Sequence, residues 1–265
     1  MRVFVEGVGL CGPGLGGWEA GRALLAGDAP YQTGPTVVTA SELLPAAERR
    51  RAGMPVKLSL AAGGEALAAA ARDAAKTATV FASSSGDCDN VHHMLEALAT
   101  PARQISPTRF HNSVHNAAAG YWSIANQCRA PSTSLAGLDA SFAAGLLESA
   151  CQVAGNGAAV TLIAYDHPYP EPLHAVRTIL AAFGVALVLA PGATDHSIAT
   201  LDIEFVAREA AATRVAVPGL EALRIGVPAA RSLPLLTVLA RGSPGTVVLE
   251  FVTGTHLHVA VAPCA

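Results

Sequence analysis

Apolar positions along this chain fall into two alternating textures. Short runs rich in Val, Ile, Leu and Phe occur at Arg2–Gly9, Thr79–Ser84, Ser132–Leu138, Ala158–Tyr165, Val185–Ala190 and Thr200–Val206. Runs of this length between polar or Gly-containing turns predict buried strands, and the alternating Thr200–Val206 predicts a half-exposed one. Between them lie longer Ala- and Leu-rich stretches with strong helix propensity: Trp18–Ala26, Leu58–Lys76, Val91–Ala99, His115–Gln127 and, from Ala140, ASFAAGLLESACQVA. Pro30–Pro45 and Asp166–Glu171 read as Pro-containing loops, Ala46–Arg51 as a short exposed helix, and Cys128–Pro131 as a turn. Leu220–Leu223 and Leu233–Ala240 read as helical. Thr246–Phe251 and His256–Val261 follow as a hairpin around Thr253-Gly254-Thr255. Short buried strands separated by helices predict an α/β fold whose parallel or mixed sheet is covered on both faces.

Composition narrows the class. The chain has 265 residues, of which 51% are hydrophobic and 14% charged. So apolar a composition predicts that a partner covers some of the surface. Net charge is −3, and the single basic tract is Glu48-Arg49-Arg50-Arg51, which argues against nucleic-acid binding. That tract reads as a solvated face; its functional alternative is docking of an acidic carrier protein. The five cysteines are odd in number and form no C-x-x-C pair, so they are expected as free thiols in the cytoplasm. The N-terminus makes a poor signal peptide, and the longest apolar run, Ala181–Ala190, is too short to span a membrane.

Cofactor chemistry finds little support. The spacing Gly12-x-Gly14-x-Gly16-Gly17 does not match the dinucleotide pattern. Adjacent His92 and His93 point to different faces of a helix. His111 and His115 could share a helical face, but two ligands do not complete a zinc site. His115 is expected to hydrogen-bond in a packed turn beside Asn112 and Asn116, and His256 and His258 to lie on an exposed strand face. Neither a metal nor a cofactor is expected.

The chemically informative stretch is Ile105–Ser149. A helix, a turn and the strand Ser132–Leu138 lead to an elbow at Asp139 and a small-residue helix behind it. Such an elbow holds one side chain at a helix N-terminus, where enzymes often place a nucleophile. Ile105-Ser106-Pro107, Asn116-Ala117-Ala118-Ala119-Gly120 and Ala130-Pro131-Ser132 resemble, without a gap, the nucleophile segment of the β-ketoacyl-ACP synthases, the thiolase-fold condensing enzymes. The opening strand, its Gly-Pro turn and Trp18-Glu19-Ala20 with Leu24-Leu25-Ala26-Gly27 resemble the start of the same enzymes. The family's cysteine falls on Asp139. A carboxylate there would form a costly mixed anhydride with a thioester, so Asp139 is expected to be a helix N-cap accepting from Ser141 or Phe142. Cys128 and Cys151, one at the end of a helix and the other expected buried within one, do not fall on a strand-to-helix turn. A second half carrying the family's catalytic histidines is not expected in this sequence, and Thr253-Gly254-Thr255-His256 has only a superficial likeness to its motif.

The resemblance implies one half of a thiolase-like layered fold, with a mixed five-stranded sheet between helices and a short C-terminal helix and hairpin. It implies a single domain over 1–265, with the thiolase-like half at 1–206 and a reduced part at 207–265. A scaffold without its nucleophile is similar to the chain-length factors, in particular a short variety found with aryl polyene pathways. The implied role is non-catalytic: pairing with an active β-ketoacyl-ACP synthase, contacting acyl carrier protein through that complex, and shaping the partner's acyl tunnel. Thr108, Arg109 and Phe110 would lie beside that tunnel, with Asn112, His115, Ser134 and Leu135 at the interface. Against this stands an ordinary turn at Thr108–Phe110 packed on the chain's own surface. Two other functions remain open: a self-sufficient synthase with a non-standard nucleophile, and a homodimeric acyl-chain-binding module.

Overall fold

The computed structural model describes every residue except Ala40, within the expected Pro30–Pro45 loop, Glu209 and Ala265. The strands are β1 (Arg2–Cys11), β2 (Ala78–Ala82), β3 (Ser132–Leu135), β4 (Val160–Asp166), β5 (Phe183–Ala190), β6 (Ala199–Val206), β7 (Gly245–Glu250) and β8 (His256–Pro263). The helices are α1 (Trp18–Ala26), α2 (Ala46–Arg51), α3 (Met54–Ala69), α4 (Cys88–Ala99), α5 (Pro107–His111), α6 (Ala117–Asn126), α7 (Ser141–Asn156), α8 (Leu173–Val176), α9 (Pro218–Gly226) and α10 (Leu233–Arg241). All strands join one mixed sheet in the order β3-β2-β4-β5-β1-β6-β8-β7. The β2 strand runs parallel to β3 and β4, whereas β5 runs antiparallel to both β4 and β1.

The expected five strands form one end of this sheet, which is eight-stranded. The added strands follow because β6 pairs with β1 and then accepts the C-terminal hairpin through β8. The hairpin is therefore a continuation of the sheet. Central strands alternate between two apolar clusters. Val80, Leu162, Val185 and Leu187 face α7 and the C-terminal helices, while Phe81, Ile163, Ala186 and Val188 face α3 and α6. Every residue of β4 and β5 is buried, which explains their continuous apolar runs.

Helix α3 lies almost on β1. A Cβ at Gly9 would sit 1.9 Å from the carbonyl oxygen of Ala62, so only glycine fits there. This helix spans Met54–Ala69, shifted from the expected Leu58–Lys76. Pro55 occupies its first turn, and Ala71 turns to φ 49 just beyond its end. Arg72 then reaches back to the buried Glu6, with Nη2 2.8 Å from Oε1.

Other expectations change locally. The turn after Ile105-Ser106-Pro107 is the short helix α5, and it ends at His111, so His111 and His115 share no helix. Cys151 is exposed. His256 is buried, its Nδ1 2.8 Å from the carbonyl oxygen of Arg208. No group of three metal-ligating residues occurs among the described residues, and no described helix is long and apolar enough to cross a membrane.

The elbow and edge strand as candidate functional site

Strand β3 ends at Leu135, earlier than expected, because the chain turns sharply over the next residues. Gly137 lies close to α7, where a Cβ would meet Ala140 and Ala144 at 3.3 Å. Leu138 then adopts φ 50. A 3-10 turn over Leu138–Ala140 passes directly into α7. The buried Ser141 ties this corner: its Oγ accepts from Gly137 N–H at 3.0 Å and donates to the Leu138 carbonyl at 2.7 Å.

Asp139 sits on the elbow, but it does not cap α7; neither the 3-10 turn nor the helix has a side-chain cap. Its carboxylate turns toward two arginines from distant segments. Arg177 Nη2 donates to Oδ1 at 2.7 Å, and Arg231 Nη2 lies 3.4 Å from Oδ2. Arg231 in turn pairs with Glu250 on β7. Two guanidiniums compete more strongly for the carboxylate than backbone N–H groups do, because both carry full charge. A carboxylate held in this way is a poor nucleophile toward a thioester.

Behind the elbow, the C-terminal ends of β2 and β4 converge on a buried polar cluster. Asp166 Oδ1 accepts from Ser84 N–H at 2.9 Å, Ser84 Oγ at 2.6 Å and Ser83 Oγ at 3.3 Å; Oδ2 accepts from Ala229 N–H at 2.9 Å. Burial raises the Asp166 pKa to about 6, although these hydrogen bonds pull it downward. Tyr169 Oη lies 3.4 Å from Ser84 Oγ and accepts from Arg177 Nε at 3.3 Å, linking the cluster to Asp139. Cys88 lies at this end of the sheet. Burial pushes its thiol pKa up, and the Asp87 and Asp166 charges add to that. A thiol held protonated is a weak nucleophile. His167, with Nε2 4.0 Å from Asp87 Oδ1, is buried, and burial lowers its pKa.

The expected interface residues divide in two. Phe110 is 66% exposed on α5. Thr108 and Arg109 are half-buried on the same helix, and the Arg109 carbonyl accepts from Asn90 Nδ2 at 2.7 Å. Asn112 is buried within its own chain, donating to the Arg51 carbonyl and accepting from Tyr121 Oη. His115 Nε2 lies 3.1 Å from the carbonyl oxygen of Ser83, so its partner comes from the end of β2 and not from a local turn. His115, Ser134, Ser132 and Asn116 line a surface cleft of about 520 Å3 between α6 and β3. Leu135 is partly buried against the core on the α7 side.

β3 is the terminal strand of the sheet. Its inner side bonds β2, and no backbone group among the described residues bonds its outer side. The opposite edge, β7, is partly covered: Thr213 N–H donates to the Val248 carbonyl, and its Oγ1 accepts from Val248 N–H. Phe110 on α5, Val114 in the segment after it, Ile124 on α6 and Leu138 at the elbow are exposed apolar side chains. A cleft of about 690 Å3 lies between Thr33–Thr36, Leu180–Ala182 and α9 and does not include Asp139.

Residues 18–221 match the β-ketoacyl synthase N-terminal domain model, and the chain belongs to that family. Solved structures share the fold over nearly its full length. A chain of the complex of ketosynthase ApeO with its chain length factor ApeC from Xenorhabdus doucetiae superposes with a TM-score of 0.74 at 22% identity, covering 99% of both chains. A chain of the ishigamide ketosynthase/chain length factor gives 0.73 at 18% identity, covering 100% of this chain and 99% of that one. A β-ketoacyl synthase from Burkholderia phymatum gives 0.62 at 16% identity, over 87% of this chain and 70% of the other. A search of curated proteins finds no match.

Proposed function

We propose that this chain is a non-catalytic subunit of chain-length-factor type, which pairs with a Cys-bearing β-ketoacyl-ACP synthase. The observation that carries this reading is the Asp139 carboxylate at the elbow, already engaged by Arg177 and Arg231; in this reading it stands where the family keeps its nucleophile. Claisen condensation needs a thiolate to accept the acyl chain and donors to stabilise the enolate. In this reading the partner supplies both, and elongates its chain from malonyl-ACP.

The open edge of β3 and the exposed Phe110 support pairing on this side. An unpaired edge strand offers a row of backbone donors and acceptors to another chain. Ser134 and Leu135 would lie in that seam, with His115 beside it. Phe110, carried on α5 with Thr108 and Arg109, would contribute to the end of the partner's acyl tunnel. The complex would act in the cytoplasm on polyene or related polyketide chains delivered by acyl carrier protein. The full-length similarity to complexes described as ketosynthase/chain length factor supports this role.

The test is elongation by each subunit alone and by both together. The reading expects products from the pair only. Light scattering separates the pair from a homodimer using the same edge.

A further inference from the structure

The residue that this elbow presents outward is Leu138, one position before the site of the missing cysteine. Leu138 is 68% exposed. It is also the only leucine among the described non-glycine residues at positive φ, alongside Ala71, Arg103 and Gln127. A bulky side chain at φ 50 carries backbone strain, which persists only where surrounding structure enforces it. That enforcement is present on both sides. Ser141 Oγ bridges Gly137 N–H and the Leu138 carbonyl, and Ala140 N–H donates to the Gly137 carbonyl at 2.9 Å. Arg177 and Arg231 hold the next residue, Asp139. Glycine would relieve the strain, and solvent would favour a polar residue.

We infer that Leu138 is a preorganised apolar anchor that inserts into the ketosynthase subunit, and that Asp139 is the positioning residue that holds the elbow for it. This rests on the pairing proposed above. The occupant is assigned by continuity: Leu138 follows directly from β3, so a chain that takes the open edge of β3 reaches the elbow next. A side chain fixed before binding loses little freedom on association, which is the property of interface anchors.

The experiment compares wild type, Leu138→Gly and Leu138→Asn in full-length chains, each mixed with the Cys-bearing ketosynthase of the source organism. Glycine and asparagine both tolerate positive φ, and asparagine approximates the size of leucine. Each variant is expected to melt no lower than wild type and to bind the ketosynthase about tenfold more weakly or worse, the scale of loss typical of an anchor. Asp139→Asn is expected to weaken binding in the same direction while increasing amide exchange over the elbow. If Leu138→Gly and Leu138→Asn bind as tightly as wild type, the anchor is overturned and the pairing stands. If wild type does not bind the ketosynthase, the pairing fails and the anchor fails with it.

Discussion

Arg177 Nη2 lies 2.7 Å from Asp139 Oδ1, so the carboxylate at the elbow is neutralised by a residue from the loop after β4. Arg231, on the second oxygen, ties the same carboxylate to the segment leading into α10, and through Glu250 to β7. This corner joins the front of the sheet to its C-terminal part.

Replacing Asp139 with alanine therefore tests a structural link. The carboxylate is half-exposed, so each ion pair contributes modestly. A loss of roughly 1 kcal/mol in urea unfolding is expected. Arg177→Gln should show a similar loss, and the double variant less than the sum of the two.

An Asp139→Cys variant probes the electrostatics of the corner. Two guanidiniums favour the thiolate, so alkylation by iodoacetamide should titrate below the ordinary thiol range of about 8.5. The variant is nevertheless expected to make no elongation product alone.

Asp166 gives a pH dependence of defined sign. Its pKa is about 6 in the folded chain and 3.8 without the fold. Between those values the folded chain holds a proton that the unfolded chain has released, so this group's contribution to stability falls as pH rises through the window. The full effect is about 3 kcal/mol at one unit per 1.36 kcal/mol. Glu6 acts in the opposite sense: burial would raise its pKa, but Arg72 and Thr194 outweigh burial and hold it below the ordinary value. That stability is present above the unfolded pKa and is lost as pH falls through the folded one. Asp166→Asn isolates the Asp166 effect. It should remove that part of the slope. One buried N–H loses its acceptor, which lowers stability near pH 4 by roughly 1–3 kcal/mol; at pH 7 relief of the buried charge offsets that loss. Urea midpoints from pH 4 to pH 7 measure both.

Phe110 is exposed, so Phe110→Ala should change stability by no more than about 0.5 kcal/mol. In the assembled pair it is expected to lengthen the product, and Phe110→Trp to shorten it, read by mass spectrometry of the acyl chains. Unchanged product length for both variants would remove Phe110 from the tunnel.

The sheet was legible where burial on both faces forces continuous apolar runs, as in β4 and β5, and where alternation marks one solvated face, as in β6. Strand count was less legible, because β6–β8 pairing is a long-range choice that no local pattern encodes. The Ala-rich α3 carries few boundary signals, and its position is set by Gly7 and Gly9 beneath it. At the site, the elbow was visible in the spacing of motifs. The partners of Asp139 were not: Arg177 and Arg231 sit in segments without a motif, and only the fold brings them together. Leu138 was hidden for a different reason, since positive φ at a leucine has no sequence signal.

The most direct measurement is acyl transfer by the purified chain alone, using a radiolabelled acyl-ACP, beside the same assay with a Cys-bearing ketosynthase added. The account predicts no covalent label on this chain and elongation only in the mixture. Label or product from the chain by itself, abolished by Asp139→Ala, would contradict it.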